Sequence, residues 1–190
     1  MRILSLSTLA LLGSSMIALA IAKSCHAIAF SGGGSKGAYE TGVIVGFSRS
    51  AQASEFQWDV ASGVSAGGIN SFGLGMWDPK DQAAMADWFE DFWLQLRTYS
   101  IYVNWPLGIV DGLFNKNGAF DSTPLLNLIT GVSEQFGSFK RDVIVSAVDV
   151  NSGVFIPFTT WNVPYSDFPK AVVASASIPG VFPYMLLEGR

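Results

Sequence analysis

Histidine, cysteine and charge are scarce in this sequence. The chain holds one histidine, His26, and one cysteine, Cys25, in 190 residues. A lone cysteine excludes an intrachain disulfide and any metal site built on several thiolates. Cys25 reads as a small buried hydrophobe. Charged residues make up 14% of the chain, against ~25% in an ordinary soluble domain, which excludes a disordered, solvating polymer. Eleven Lys+Arg against fifteen Asp+Glu give a net charge of −4. No basic cluster is available to neutralise a phosphate backbone, so nucleic acid is excluded as a partner. What the chain has in quantity is hydrophobic residues (49%), twenty glycines and fourteen phenylalanines. Those suit one tightly turned, well-filled domain, and 190 residues is a single-domain length.

The amino-terminal segment stands apart. Arg2 is followed by a largely apolar run from Leu9 to Ile21, and Ala20-Ile21-Ala22 offers a small-x-small cleavage pattern. Residues 1–22 read as a secretory signal peptide, with the domain occupying 23–190 and the protein secreted or lumenal. The alternative is an uncleaved signal anchor, since the run approaches the ~20 residues that span a bilayer.

Along the rest of the chain, strand and helix patterns alternate. Residues 26–31 form an apolar run ending at Gly32-Gly33-Gly34, and Ala38 to Ser50 follows with helical spacing. Trp58 to Ser62 reads as a second strand, and the glycine-rich stretch from Ala66 to Met76 as a helix packed very close to something. Asp81 to Arg97 is the clearest helix, with Ala84, Trp88, Phe92 and Leu96 every four residues. Residues 98–120 read as a loop-rich stretch with Trp105-Pro106 and a turn at Asn115-Lys116-Asn117-Gly118. Thr123 and Pro124 suit the cap and first position of a further helix. Asp142–Val150 and Val154–Thr160 read as strands joined at Asn151-Ser152-Gly153, and Pro169–Ala176 as a short helix. The strands are continuous apolar segments, the pattern of a mostly parallel sheet covered on both faces, so the fold class is α/β.

Two glycine loops carry the chemistry. Gly63-Val64-Ser65-Ala66-Gly67 fits a nucleophile elbow, where a serine sits on a strained turn between strand and helix. Gly32-Gly33-Gly34-Ser35-Lys36-Gly37 also lies between strand and helix. As Gly-x-Gly-x-x-Gly it matches a dinucleotide fingerprint, but Asp59 opens the second strand where an acidic residue should close it. A phosphate-binding P-loop fails, because Ala38 stands where the lysine should follow the glycine. Read as an oxyanion hole, its bare backbone N–H groups face a developing negative charge, and this explains both loops together. Two plain tight turns would explain neither spacing.

No histidine follows Ser65, and His26 lies at the start of the first strand, away from loops at strand carboxyl ends. A Ser-His-Asp triad is therefore excluded, and the base must be a carboxylate or a lysine.

Together with Ala174-Ser175-Ala176-Ser177-Ile178-Pro179-Gly180-Val181-Phe182-Pro183, the two loops resemble the patatin-like phospholipases, from about Ala27 onward. The resemblance implies a three-layer α/β/α sandwich and a serine–aspartate lipid acyl hydrolase without metal or cofactor. Ser65 would attack a phospholipid or glyceride ester. Gly32, Gly33, Gly34, Lys36 and Gly37 would form the oxyanion hole, and Gly63, Val64, Ala66 and Gly67 the elbow. Asp149 matches a strand-end aspartate of structural role. The family's dyad aspartate belongs to an Asp-Gly-Gly or Asp-Gly-Ala motif after the Ile-Pro segment. Asp111-Gly112-Leu113 precedes that segment and is rejected, which places the dyad aspartate past Arg190.

A lipid-binding or storage protein without turnover is the rival reading. Lipid contact at a membrane surface is expected in either case. Trp77, Trp88, Trp93 and Trp105 are candidates for it, although helical aromatic spacing also serves core packing.

Overall fold

The computed structural model describes residues 24–50 and 53–187, so the leader read over residues 1–22 lies outside the described part. The chain runs β1 (Ala27–Phe30), α1 (Gly37–Ser48), β2 (Val60–Gly63), α2 (Ala66–Gly75), α3 (Gln82–Gln95), α4 (Thr98–Ile101) and β3 (Val103–Asn104). It continues with α5 (Gly108–Asn115), β4 (Phe120–Asp121), α6 (Thr123–Phe136), β5 (Asp142–Val148), β6 (Phe155–Thr159) and α7 (Phe168–Ala176). Among the described residues no helix is long and apolar enough to cross a membrane.

The central sheet has the order β1-β2-β5-β6. β1, β2 and β5 are parallel, and β6 returns antiparallel through the Asn151-Ser152-Gly153 turn, where Gly153 takes a positive φ of 70°. The fold is thus α/β with a mostly parallel sheet. Registered neighbours share a face: Ile28, Ala61 and Val143 form one row, Phe30, Gly63 and Val145 the next. These rows point into the core. Phe30 and Ala61 pack with Ile44, Leu74, Met85 and Phe89, while Val143 and Val145 pack with Phe72, Ile129, Phe168 and Val172.

Helix α2 lies directly across β1, β2 and β5. All ten of its residues are buried, and its glycines make that closeness possible. A Cβ on Gly75 would come within 2.2 Å of the Val143 side chain, and one on Gly67 within 2.5 Å of the Phe30 carbonyl oxygen. α7 packs on β5 and α2, and α1 packs on α2 and α3. On the face of the sheet away from α2, Ala29, Phe155 and Pro157 are exposed, Val60, Ser62 and Ile144 are half-buried, and Ser146 and Thr159 are buried.

Below the sheet, Arg141 is buried, and its guanidinium donates to the carbonyls of Trp58, Trp77 and Asp78. Burial pulls its pKa down to about 10, against the opposing field of Asp78, Asp59 and Asp81. It ties the start of β5 to the chain entering β2 and leaving α2.

Several local expectations need correction. Residues 98–120 are more ordered than a loop-rich stretch: they hold α4, α5 and the short antiparallel pair β3–β4. The cap of α6 is Ser122, one residue before Thr123, and the Thr123 amide donates to the Asp121 carboxylate. Cys25 is exposed, not buried, because it precedes β1 outside the sheet. Trp88 and Phe92 stack with ring centroids 5.0 Å apart, and Trp77 meets Phe136 edge-on. Trp77, Trp88 and Trp93 thus pack against the core rather than reaching outward.

Candidate active site

The carboxyl ends of β1 and β2 bring the two glycine loops together. Ser65 follows β2 and caps α2, with φ 55° and ψ −124°. A positive φ is strained for serine. The strain comes from a chain that must leave the strand and enter a helix lying on that same strand. A Cβ on Gly63 would sit 2.1 Å from the Gly67 carbonyl oxygen, so neither elbow glycine tolerates a side chain. Ala66 and Gly67 are buried, Val64 is exposed and Ser65 is half-buried. Helix α2 aims its amino end at Ser65, and the first-turn amides carry its positive dipole charge.

The first loop passes over this serine. A Cβ on Gly32 would lie 3.3 Å from Ser65 Cβ and 3.5 Å from the Val64 carbonyl oxygen. Gly34 has a φ of 58° and opens a short 3₁₀ turn, Gly34–Lys36, which leads into α1. Among the described residues no acceptor meets the amides of Gly32, Gly33 and Gly34. Bare amides beside a strained serine make an anion-binding nest. Lys36 is exposed, and its stem lies against Gly33. Gly37 is buried between Trp93 and Ala66, which fixes where α1 starts relative to α2.

Sequence reasoning missed the groups that hold this arrangement. Ser65 N donates to Ser175 Oγ at 2.8 Å, and Ser175 Oγ donates to the Ser146 carbonyl at 2.6 Å. A hydroxyl at the end of α7 thus pins the elbow to β5. On the other side, Ser31 N donates to Glu40 Oε1 at 2.7 Å, and Asn70 Nδ2 donates to Glu40 Oε2 at 3.1 Å. Asn70 Nδ2 also donates to the Gly37 carbonyl, while Asn70 Oδ1 accepts from Trp93 Nε1. Asn70 is buried, and Thr41 Oγ1 lies 3.1 Å from its Oδ1. Its side chain is fully satisfied, so the network is rigid and joins both loops from beneath.

The other candidates fall elsewhere. His26 is exposed at the amino end of β1, where its backbone N–H donates to Asp59 Oδ2. Asp59 precedes β2, at the end of the sheet away from Ser65, where no dinucleotide ribose bound at the glycine loop would meet it. Asp149 Oδ1 accepts from the amides of Asn151 and Ser152 in the β5–β6 turn. Asp111 accepts from Asn115 Nδ2 within α5, and Gly112 is required because a Cβ would meet Trp105 and the Gly118 carbonyl. Among the described residues no side chain accepts a hydrogen bond from Ser65 Oγ. A cleft lined by Asp59, Lys140, Arg141 and Trp161 also lies at the far end of the sheet.

No curated protein matches the chain. Among solved structures it is similar to the heterodimeric complex ExoU-SpcU from the type III secretion system of Pseudomonas aeruginosa, at 18% identity and a TM-score of 0.47. That match covers 83% of this chain and 37% of the other, so the chain spans little more than a third of that protein's length. The family model described as patatin-like phospholipase matches residues 28–190, which include both glycine loops, Ser65 and the segment after α7. On that match the chain belongs to the patatin-like phospholipase family.

Proposed function

We propose that the protein is a secreted lipid acyl hydrolase whose nucleophile is Ser65. The observation that carries this is the elbow: a serine held at positive φ at the amino end of a buried helix, beneath unpaired glycine amides. Ser65 Oγ attacks the ester carbonyl carbon of a phospholipid or glyceride, and its proton passes to a general base. The carbonyl oxygen becomes an oxyanion, which the amides of the glycine loop stabilise. Collapse expels the alcohol, which takes up the proton, and leaves an acyl-serine. Water, deprotonated by the same base, then releases the fatty acid. His26 lies at the wrong end of the sheet, which leaves a carboxylate or a lysine, and the patatin-like resemblance implies an aspartate. An ordinary aspartate is weak, with a reference pKa of ~3.9, so it needs apolar surroundings that raise it.

Export is part of the proposal, through the leader at residues 1–22. A second reading, lipid binding without turnover, is favoured by one observation: the described residues bring no proton acceptor to Ser65 Oγ. One experiment separates the two. In a chain that also carries an Asp-Gly-Gly or Asp-Gly-Ala motif after the Ile178-Pro179 segment, a soluble fluorophosphonate should label Ser65 and nothing in Ser65→Ala, and a short-chain ester should be hydrolysed only by the former. Labelling that persists in Ser65→Ala would sink the assignment, and binding without labelling or turnover would establish the second reading.

A further inference from the structure

Helix α5 wears its apolar side outward. Val110, Leu113 and Phe114 recur at helical spacing, yet Val110 is 70% exposed and Phe114 81% exposed. Leu107, just before the helix, is 78% exposed, and Ile109 is exposed as well. The residue of α5 that is buried is Gly112, clamped under Trp105 and the Gly118 carbonyl. An amphipathic helix inside a water-soluble domain turns its apolar stripe to the core. This one is anchored by its glycine side and leaves the stripe in water. A contiguous apolar surface of this kind marks a contact site.

The patch continues towards the candidate active site. Ala119 N donates to the Gly180 carbonyl and Phe120 N to the Val181 carbonyl, so the strap carrying α5 lies along the segment that leaves α7. Tyr102 packs against both Phe120 and Phe182. On that segment Ile178 is exposed, three residues beyond the Ser175 that pins Ser65. Charge is nearly absent: between Thr98 and Ala119 stand only Asp111 and Lys116, which cancel. Asp111 is engaged by Asn115, and the Lys116 ammonium lies over the Trp105 ring at 5.8 Å. A surface without net charge offers little for a strongly charged partner to recognise.

We propose that α5 and the flanking Leu107 are the surface through which this protein enters a lipid layer, with Leu107, Val110, Leu113 and Phe114 inserted among the acyl chains. This rests on the lipid acyl hydrolase reading, which supplies the reason for an apolar face beside Ser65. The lack of net charge from Thr98 to Ala119 favours an electrically neutral, phosphatidylcholine-type surface over an anionic one.

The test uses the full 190-residue chain with Cys25→Ser and a single new thiol at Val110→Cys or, as control, Trp161→Cys, each labelled with an environment-sensitive dye. Trp161 is 66% exposed and borders the cleft at the opposite end of the sheet. With phosphatidylcholine vesicles, the dye at position 110 should shift to the blue and be quenched by nitroxide lipids. The dye at 161 should do neither. Adding Leu107→Asp and Phe114→Asp should weaken the position-110 response at least tenfold in vesicle concentration, with the circular dichroism spectrum unchanged. No response at 110, an equal response at 161, or a response that survives the two aspartates overturns the proposal. Preference for anionic vesicles overturns the neutral-surface assignment. Fluorophosphonate labelling of Ser65 is read on the same samples without vesicles. The same labelling is read on a longer chain that carries an Asp-Gly-Gly or Asp-Gly-Ala motif after the Ile178-Pro179 segment; failure in both refutes the hydrolase reading and leaves the insertion result standing, and the converse failure is equally separable.

Discussion

Replacing Gly67 with alanine tests whether the two glycine loops form one site. The new methyl would lie 2.5 Å from the Phe30 carbonyl oxygen and 2.6 Å from the Ser31 carbonyl oxygen. Ordinary contact begins near 3.4 Å, so helix α2 and the end of β1 must separate by about 1 Å. Both obstacles are backbone, and no rotamer change relieves them. Overpacking of this kind costs about 1–3 kcal/mol. Ser65 caps α2, whereas Gly32 to Gly34 continue from β1, so the same displacement opens the gap between nucleophile and oxyanion amides. Donors that must sit 2.7–3.1 Å from the oxyanion would then miss it, and ~1 Å of misplacement is worth ~100-fold in rate.

The assay is the second-order rate of Ser65 labelling by a soluble fluorophosphonate, with stability read from the urea midpoint. The control is Gly73→Ala, also in α2, whose methyl would meet the Trp88 and Phe89 rings at 2.9 Å and 3.0 Å. Those rings can yield, and they lie towards α3. Gly73→Ala should lose comparable stability while labelling at close to the wild-type rate. Wild-type labelling in folded Gly67→Ala, or equal slowing in Gly73→Ala, would refute the coupling between helix position and oxyanion geometry.

Three further outcomes follow from the network around the loops. Glu40→Gln places an amide donor against Ser31 N or Asn70 Nδ2, where both carboxylate oxygens now accept; it should cost about 1–2 kcal/mol in urea unfolding and lower kcat for a short-chain ester roughly tenfold, with KM little changed. Ser175→Ala strips the acceptor from Ser65 N and a donor from the Ser146 carbonyl; a similar loss of stability and of labelling rate is expected, and an unchanged labelling rate would show that the elbow holds itself. Gly42→Ala lies on the exposed side of α1 with nothing within 4 Å; it should raise stability by about 0.5–1 kcal/mol and leave labelling untouched, and a lower urea midpoint would contradict the packing described for that helix.

The close packing of the two glycine loops was more legible in the sequence than the groups that support them, and the reason is steric. Glycines at 37, 63 and 67 stand where a Cβ would strike a side chain or backbone of another element, so the spacing of the motif is itself a record of close approach. The supporting groups leave no such record. Ser175 reaches Ser65 across 110 residues of sequence, and nothing local distinguishes its hydroxyl from that of Ser177. Glu40 sits in the first turn of α1, where acidic residues are common simply because they suit a helix start. Its second role, holding Ser31 N, depends on how β1 turns into the loop.

The misread elements fail for a different reason, which also bears on function. Periodicity finds helices by assuming that apolar stripes face a core. It found α3, although in the stripe at every fourth residue Ala84 is exposed and Trp88, Phe92 and Leu96 are half-buried, while the neighbouring Met85, Ala86 and Phe89 are buried. It could not find α5, whose stripe faces solvent and whose buried position is a glycine. Core packing, the reading that helical aromatic spacing favours, holds for Trp77, Trp88 and Trp93. Where pattern and burial disagree, an apolar stripe has been kept against the hydrophobic effect, and folding gives no reason to keep it. In α5 the disagreement lies beside the segment that leads from Ser175, so the feature hardest to read as structure is the one that gives the clearest direction from which a lipid would reach Ser65.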